Sequence, residues 1–123
     1  MTALAKRLVA CKRFRWMPGM LPLVFEYGEW TANPRLDSYT EESMWVSDKS
    51  VPDLTDPATL GCLLALVREA WGRPKLVPYY TALSSGQGWY VADRFCGDED
   101  YPLIGTPCGS EAEALVAALE AAP

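Results

Sequence analysis

Residues 53–72 read DLTDPATLGCLLALVREAWG, and the punctuation of a helix is all in place. Asp56 offers a side chain that can accept the first unpaired N–H groups, and Pro57 presets the φ of a first turn. Gly72 suits the left-handed position just past the end, and Pro74 blocks continuation. These signals predict a helix over 57–71. Leu60, Leu63, Leu64, Val67 and Trp71 form one face. Cys62, Ala65, Leu66 and Ala70 extend the apolar surface around much of the cylinder, and only Thr59, Arg68 and Glu69 are clearly polar. A helix this apolar is buried on more than one side. It lies either between a sheet and other helices or at a subunit interface, and the fold turns on which of these covers it.

Downstream, PKLVPYYTAL (74–83) and GWYVADRF (88–95) have strand composition, and the Gly-rich SSGQG (84–88) between them predicts a hairpin. CGDEDYPLIGTPCG (96–109) reads as a long loop. Ser110 and Glu113 then form a capping box ahead of a last helix through EAEALVAALEAA, with Ala112, Leu115, Val116 and Leu119 as its apolar face. Upstream, LPLVFEYGEW (21–30) reads as a strand, TANPRLDS (31–38) as a loop and YTEESMWVSD (39–48) as a second strand, paired antiparallel with the first. Thr2 caps a first helix expected to run to about Phe14, and Pro18-Gly19 ends it in a turn. The expected order is αββαββα, a single α+β domain over 1–123 with a mainly antiparallel sheet of about four strands. A weak symmetry of two ββα units is visible, without a sequence repeat.

Composition narrows function mainly by exclusion. A chain of 123 residues that is half hydrophobic and 22% charged is globular and needs no metal or disulfide staple. No apolar run is long enough for a membrane span, and the first residues do not make a signal peptide. The expected location is therefore the cytoplasm, which favours free thiols at Cys11, Cys62, Cys96 and Cys108 without fixing their state. None of the cysteines forms a CxxC pair. There is no histidine, which removes Ser-His and Cys-His catalysis and most transition-metal sites. The expectation is a non-enzyme without cofactor or metal. Charge is uneven: residues 1–16 carry Lys6, Arg7, Lys12, Arg13 and Arg15 and no acid, whereas the rest carries six basic and sixteen acidic residues. An acidic body disfavours direct nucleic-acid binding. The basic head either meets an acidic partner or folds back on the body.

Few residues stand out as a site. Asp98, Glu99 and Asp100, beside Tyr101, are the densest charge run, and Tyr90 lies in the adjoining hairpin. Together they are the candidate partner-binding patch, since Tyr is enriched at protein contacts and the acids would suit a basic partner. Acidic runs are more often solvated loops. Cys108 sits two residues before the Ser110 cap, where a helix N-terminus can lower a thiol pKa, but no base accompanies it. A small-ligand pocket would lie near Trp89, Tyr90 and Cys108.

The segment PDLTDPATLGCLLALVREAWG (52–72), with FRWMPGM (14–20), GW (88–89) and SEAEALVAALEAAP (110–123), resembles a group of small proteins encoded in phages and prophages of GC-rich bacteria. The resemblance covers about half the chain and carries no catalytic residues. It implies a phage accessory protein. The expected activity is binding and inhibition of a host protein, a defence factor such as CRISPR machinery among them, with a basic nucleic-acid-handling complex as the partner. The alternatives are a homo-oligomeric structural or assembly protein, with helix 57–71 at a homodimer interface, and a small-ligand binder.

Overall fold

A computed structural model describes residues 2–37, 45–83, 86–93 and 104–123. The described elements run in the order α1 (Thr2–Val9), β1 (Pro22–Glu26), β2 (Glu29–Ala32), β3 (Val51–Pro52), α2 (Pro57–Trp71), β4 (Leu76–Leu83), β5 (Gly86–Asp93), β6 (Ile104–Cys108) and α3 (Glu111–Glu120). The class is α+β. The strands form two separate antiparallel sheets of three, ordered β2-β1-β3 and β4-β5-β6, rather than one sheet of about four.

Helix α2 has the predicted ends. Asp56 accepts from the Thr59 N–H at 2.9 Å. Gly72 adopts φ 63°, and the Arg73 N–H closes back on the Arg68 carbonyl at 3.0 Å, so the last carbonyls of the helix are satisfied. Its cover is intramolecular. Leu63, Leu66 and Val67 are buried, and the helix packs on α3 and β4. Trp71 Nε1 donates to the Ala118 carbonyl of α3 at 2.8 Å, and Arg68 Nε donates to the Leu76 carbonyl at 2.7 Å. The segment before β1 covers another side: the Cys62 thiol donates to the Pro18 carbonyl at 3.4 Å. What remains exposed is Pro57, Ala58, Gly61, Ala65 and Glu69, a stripe without a large apolar side chain.

The helix most enclosed is α3 rather than α2. Ala112, Ala114, Leu115, Val116, Ala118 and Leu119 are all buried. One side rests on all three strands of the second sheet, and the other meets α1 and α2. Its alanines leave room for neighbours to approach on several sides. The sequence pattern assigned α3 a single apolar face because Ala reads as neutral until its surroundings are known. The Ser110 hydroxyl accepts from the Glu113 N–H at 3.1 Å, as predicted. The Glu113 carboxylate reaches the Gly109 N–H at 2.9 Å, one residue before the usual position in a capping box.

Other expectations are corrected. Helix α1 ends at Val9 rather than near Phe14, because Cys11 N–H bonds to Leu8 O in a tighter turn. The stretch 21–30 is no single strand: Tyr27 and Gly28 both take positive φ and fold it into the β1–β2 hairpin. Of the expected strand 39–48, residues 39–44 lie outside the described residues, and Trp45–Asp48 are not in a strand. The partners of β1 are β2 and β3. Within the supposed loop 96–109, residues 104–108 form β6; Pro107 is tolerated because β6 is an edge strand. The two halves are not repeats, since the first strand is central in one sheet and the second in the other.

The irregular segments are fastened at the start of α2. Arg35 grips Asp56 with both Nη atoms, at 2.6 and 2.9 Å, and Nη1 also donates to the Gly19 carbonyl at 2.9 Å. Thr59 is fully buried, with its hydroxyl donating to Asp56 at 2.8 Å and accepting from the Leu21 N–H at 2.9 Å. The Arg35 contact, followed by those from Thr59, holds the Asp56 carboxyl far below the ordinary carboxylate range. The basic head folds back on the body: Arg7 grips Glu120 at 2.6 Å and Arg15 grips Glu69 at 2.7 Å.

Two outcomes are expected. Thr59→Val keeps the volume but strands the Leu21 N–H, and chemical denaturation should register a loss of about 2 kcal/mol. Because the folded pKa of Asp56 is depressed, its charge stabilises the fold above the unfolded value of about 4 and less as pH falls below it. The stability gap between the wild type and Asp56→Asn, which retains a cap, should therefore be full near neutrality and shrink in acid.

Candidate functional site

The residues singled out in the sequence do not assemble into a described site. Asp98, Glu99, Asp100 and Tyr101 lie outside the described residues. Tyr90 is only 2% exposed and its hydroxyl donates to the Gly86 carbonyl at 3.4 Å, so its ring is not offered to a partner. Cys108 pairs in register with Trp89, but the hollow beside it is formed with Leu4, Arg7, Glu113 and Ala117 from α1 and α3. Burial pushes the Cys108 thiol pKa up, and Glu113 adds to the effect against the opposing pull of Arg7. That shift is opposite to what activation by a helix N-terminus requires. Cys11 and Cys62 are free thiols, and burial raises the Cys62 pKa as well. Cys96 lies outside the described residues. Among the described residues, no group of three or more metal-binding side chains converges, and no helix is long and apolar enough to cross a membrane.

The surface feature that requires explanation is the β1–β2 hairpin. Its register pairs Glu26 with Glu29 across a two-residue turn, Tyr27-Gly28. Both turn residues take positive φ, 53° and 83°, as in the hairpin turn usually built from Asn-Gly. Gly28 meets this requirement without strain. Tyr27 does not, because a bulky side chain in the left-handed region costs about 1–2 kcal/mol. Its own side chain offers no packing in return: Tyr27 is fully exposed, at 102%. The tip is thus an unsupported aromatic ring between two carboxylates, carried on a strained backbone. Tyr is not a turn-forming residue, which is why the sequence pattern concealed the hairpin.

The legs of the hairpin continue the aromatic surface. Phe25 and Trp30 are cross-strand partners with ring centroids 5.4 Å apart, and Phe25 is 54% exposed. They form one wall of a groove of about 540 Å³. Lys6 and the end of α1 supply a second wall, and Asp48 to Val51 the third. Lys6 Nζ lies 5.9 Å from the Trp30 ring centroid, a cation–π arrangement. Asp48 and Lys49 are held on a turn closed by the Ser50 N–H to Ser47 O bond at 3.2 Å and by the Ser47 N–H to Ser50 Oγ bond at 3.0 Å. Val51 and Ser50 are buried at the base of that turn. In the second sheet, Tyr79 and Tyr80 are each 52% exposed, with Tyr80 edge-on to Trp89. The sequence signal for the groove was faint: Phe25 and Trp30 read as ordinary strand aromatics, and Lys6 as part of a solvated helix face.

Against known proteins, no family model matches the chain, and no curated protein or solved structure does so either. The reading of its surface therefore rests on the residues themselves.

Tyr27→Asn should stabilise the isolated protein by ~0.5–1 kcal/mol, since Asn accepts the left-handed region and the ring makes no contacts to lose. A rise in thermal midpoint of about 2–5 °C would register it. A lower midpoint would mean that the ring supports the fold.

Proposed function

We propose that the chain is a phage-encoded accessory protein that acts without catalysis, by binding a host protein through a basic surface of that host protein. A defence factor or another nucleic-acid-handling complex is the class of target. The carrying observation is the tip of the β1–β2 hairpin, where Tyr27 is fully exposed at positive φ between Glu26 and Glu29. Local strain at a position that contributes nothing to packing is a feature of recognition sites, where an anchor ring enters a partner's pocket. The flanking carboxylates suit a basic rim around that pocket and would speed encounter. Beyond residue 16, the excess of acidic residues favours the same class of partner. The phage context comes from the sequence resemblance, and inhibition is the use such a protein would have for a tight contact.

Self-association through α2 has less support. Its large side chains Leu63, Leu66 and Val67 are buried within the domain, and its exposed stripe carries only small or charged residues and one proline.

The test replaces Tyr27 by the photo-crosslinker p-benzoylphenylalanine in a host cell, with exposed Ala58 on α2 as the control position. A discrete adduct with a basic protein, formed from position 27 alone and diminished by Glu26→Gln with Glu29→Gln, is the expected result. Equal labelling from both positions, or none, would remove the basis of the proposal.

A further inference from the structure

The groove beside the hairpin has the features of a ligand site that the host-protein reading does not use. Its wall is aromatic, through Phe25 and Trp30. Its rim is cationic in an otherwise acidic protein: Lys6 and Lys49 stand against the single carboxylate of Asp48. Most of the described arginines are committed elsewhere in the fold. Arg7, Arg15, Arg35 and Arg73 are each tied to a carboxylate of the fold. Among the described residues, Lys6 and Lys49 pair with no carboxylate, and Lys6 is aimed at the Trp30 ring instead. The loop that presents Lys49 is fixed by the Ser47–Ser50 hydrogen bonds, so the rim is formed before any ligand arrives.

We propose that this groove binds a small amphipathic anion, with a flat apolar or aromatic body on Phe25 and Trp30 and a carboxylate or sulfonate toward Lys6 and Lys49. Size supports a small molecule. A volume of about 540 Å³ falls within the range of small-molecule clefts. Nine residues line it, whereas a stable protein interface engages about 20–30 on each side. Charge selects the anion. A cationic ligand would meet two ammonium groups against one carboxylate, and a neutral one would leave the excess positive charge of the lining unused. A polyanionic nucleic-acid strand would meet the acidic hairpin tip at Glu26 and Glu29, immediately beside the groove.

The inference stands apart from the host-protein reading, because it uses the legs of the hairpin and not its tip. The experiment follows ¹H–¹⁵N spectra of the labelled protein during titration with 1-naphthaleneacetate, and separately with the neutral 1-naphthaleneacetamide. Saturable shifts centred on Lys6, Phe25, Lys49 and the Trp30 indole N–H are expected for the acid, with the amide bound about fivefold more weakly. Lys6→Gln with Lys49→Gln should abolish the preference for the acid over the amide, and an unchanged thermal midpoint with dispersed spectra shows that the variant is folded. Shifts that do not saturate, or equal binding of acid and amide, would overturn the proposal. So would shifts at the same residues that grow with protein concentration alone, since a second copy of the chain would then occupy the groove.

Discussion

Asp56 is the carboxylate on which the irregular half of the molecule is strung. Through its two oxygens it caps α2, receives the Thr59 hydroxyl and meets Arg35 from the segment that follows β2. Arg35 and Thr59 then pass the constraint on, to the Gly19 carbonyl and the Leu21 N–H. Backbone bonds from Gly19 to Leu36, from Leu36 to Met20 and from Asp53 to Leu21 draw the same segments together. Segments without regular structure must find partners for every buried polar group, and here these backbone bonds and one helix start supply them together. The Arg35–Asp56 pair is partly exposed on the arginine side, so its value lies in geometry as much as in Coulomb energy.

The regular half is organised differently, around α3. This helix is enclosed because its small residues let a sheet and two helices approach at once. The apolar α2 is then covered on its large-residue face by α3 and β4, and its small residues are left outside. Charge closes the arrangement. Arg7 and Arg15, both from the basic head, pair with Glu120 on α3 and Glu69 on α2. The head is thereby bound to the acidic body instead of standing free for a partner, although Lys12 and Arg13 remain exposed.

The first hairpin carries two of the four large hydrophobic side chains that the described residues leave exposed, Phe25 and Tyr27. Its tip carries Tyr27 in a conformation that Asn or Gly would adopt more easily, and its legs carry the Phe25–Trp30 wall of the groove. The interior contains no comparable compromise: among the described residues, no buried side-chain polar atom lacks a hydrogen-bond partner. A fold that satisfies its core and carries strain at an exposed aromatic tip separates stability from recognition in one short element.

The sequence by itself determined the α+β class and the bounds of α2. It also determined the Ser110 cap of α3 and the β4–β5 hairpin. Each of these is written in local chemistry: a capping side chain, a glycine with left-handed freedom, alternation across a short turn. Tertiary structure alone decided that α3 is the central helix, since an alanine does not reveal what will pack on it. It alone turned Thr59 from a polar break in α2 into a buried link between Leu21 and Asp56. It divided the strands into two sheets, because pairing depends on which edges meet. It also made Tyr27-Gly28 a turn, because the pairing of Phe25 with Trp30 and the bonds from β1 to β2 outweigh the local reluctance of tyrosine to take positive φ. Local chemistry is read one residue at a time, whereas burial and pairing belong to residues far apart in the chain.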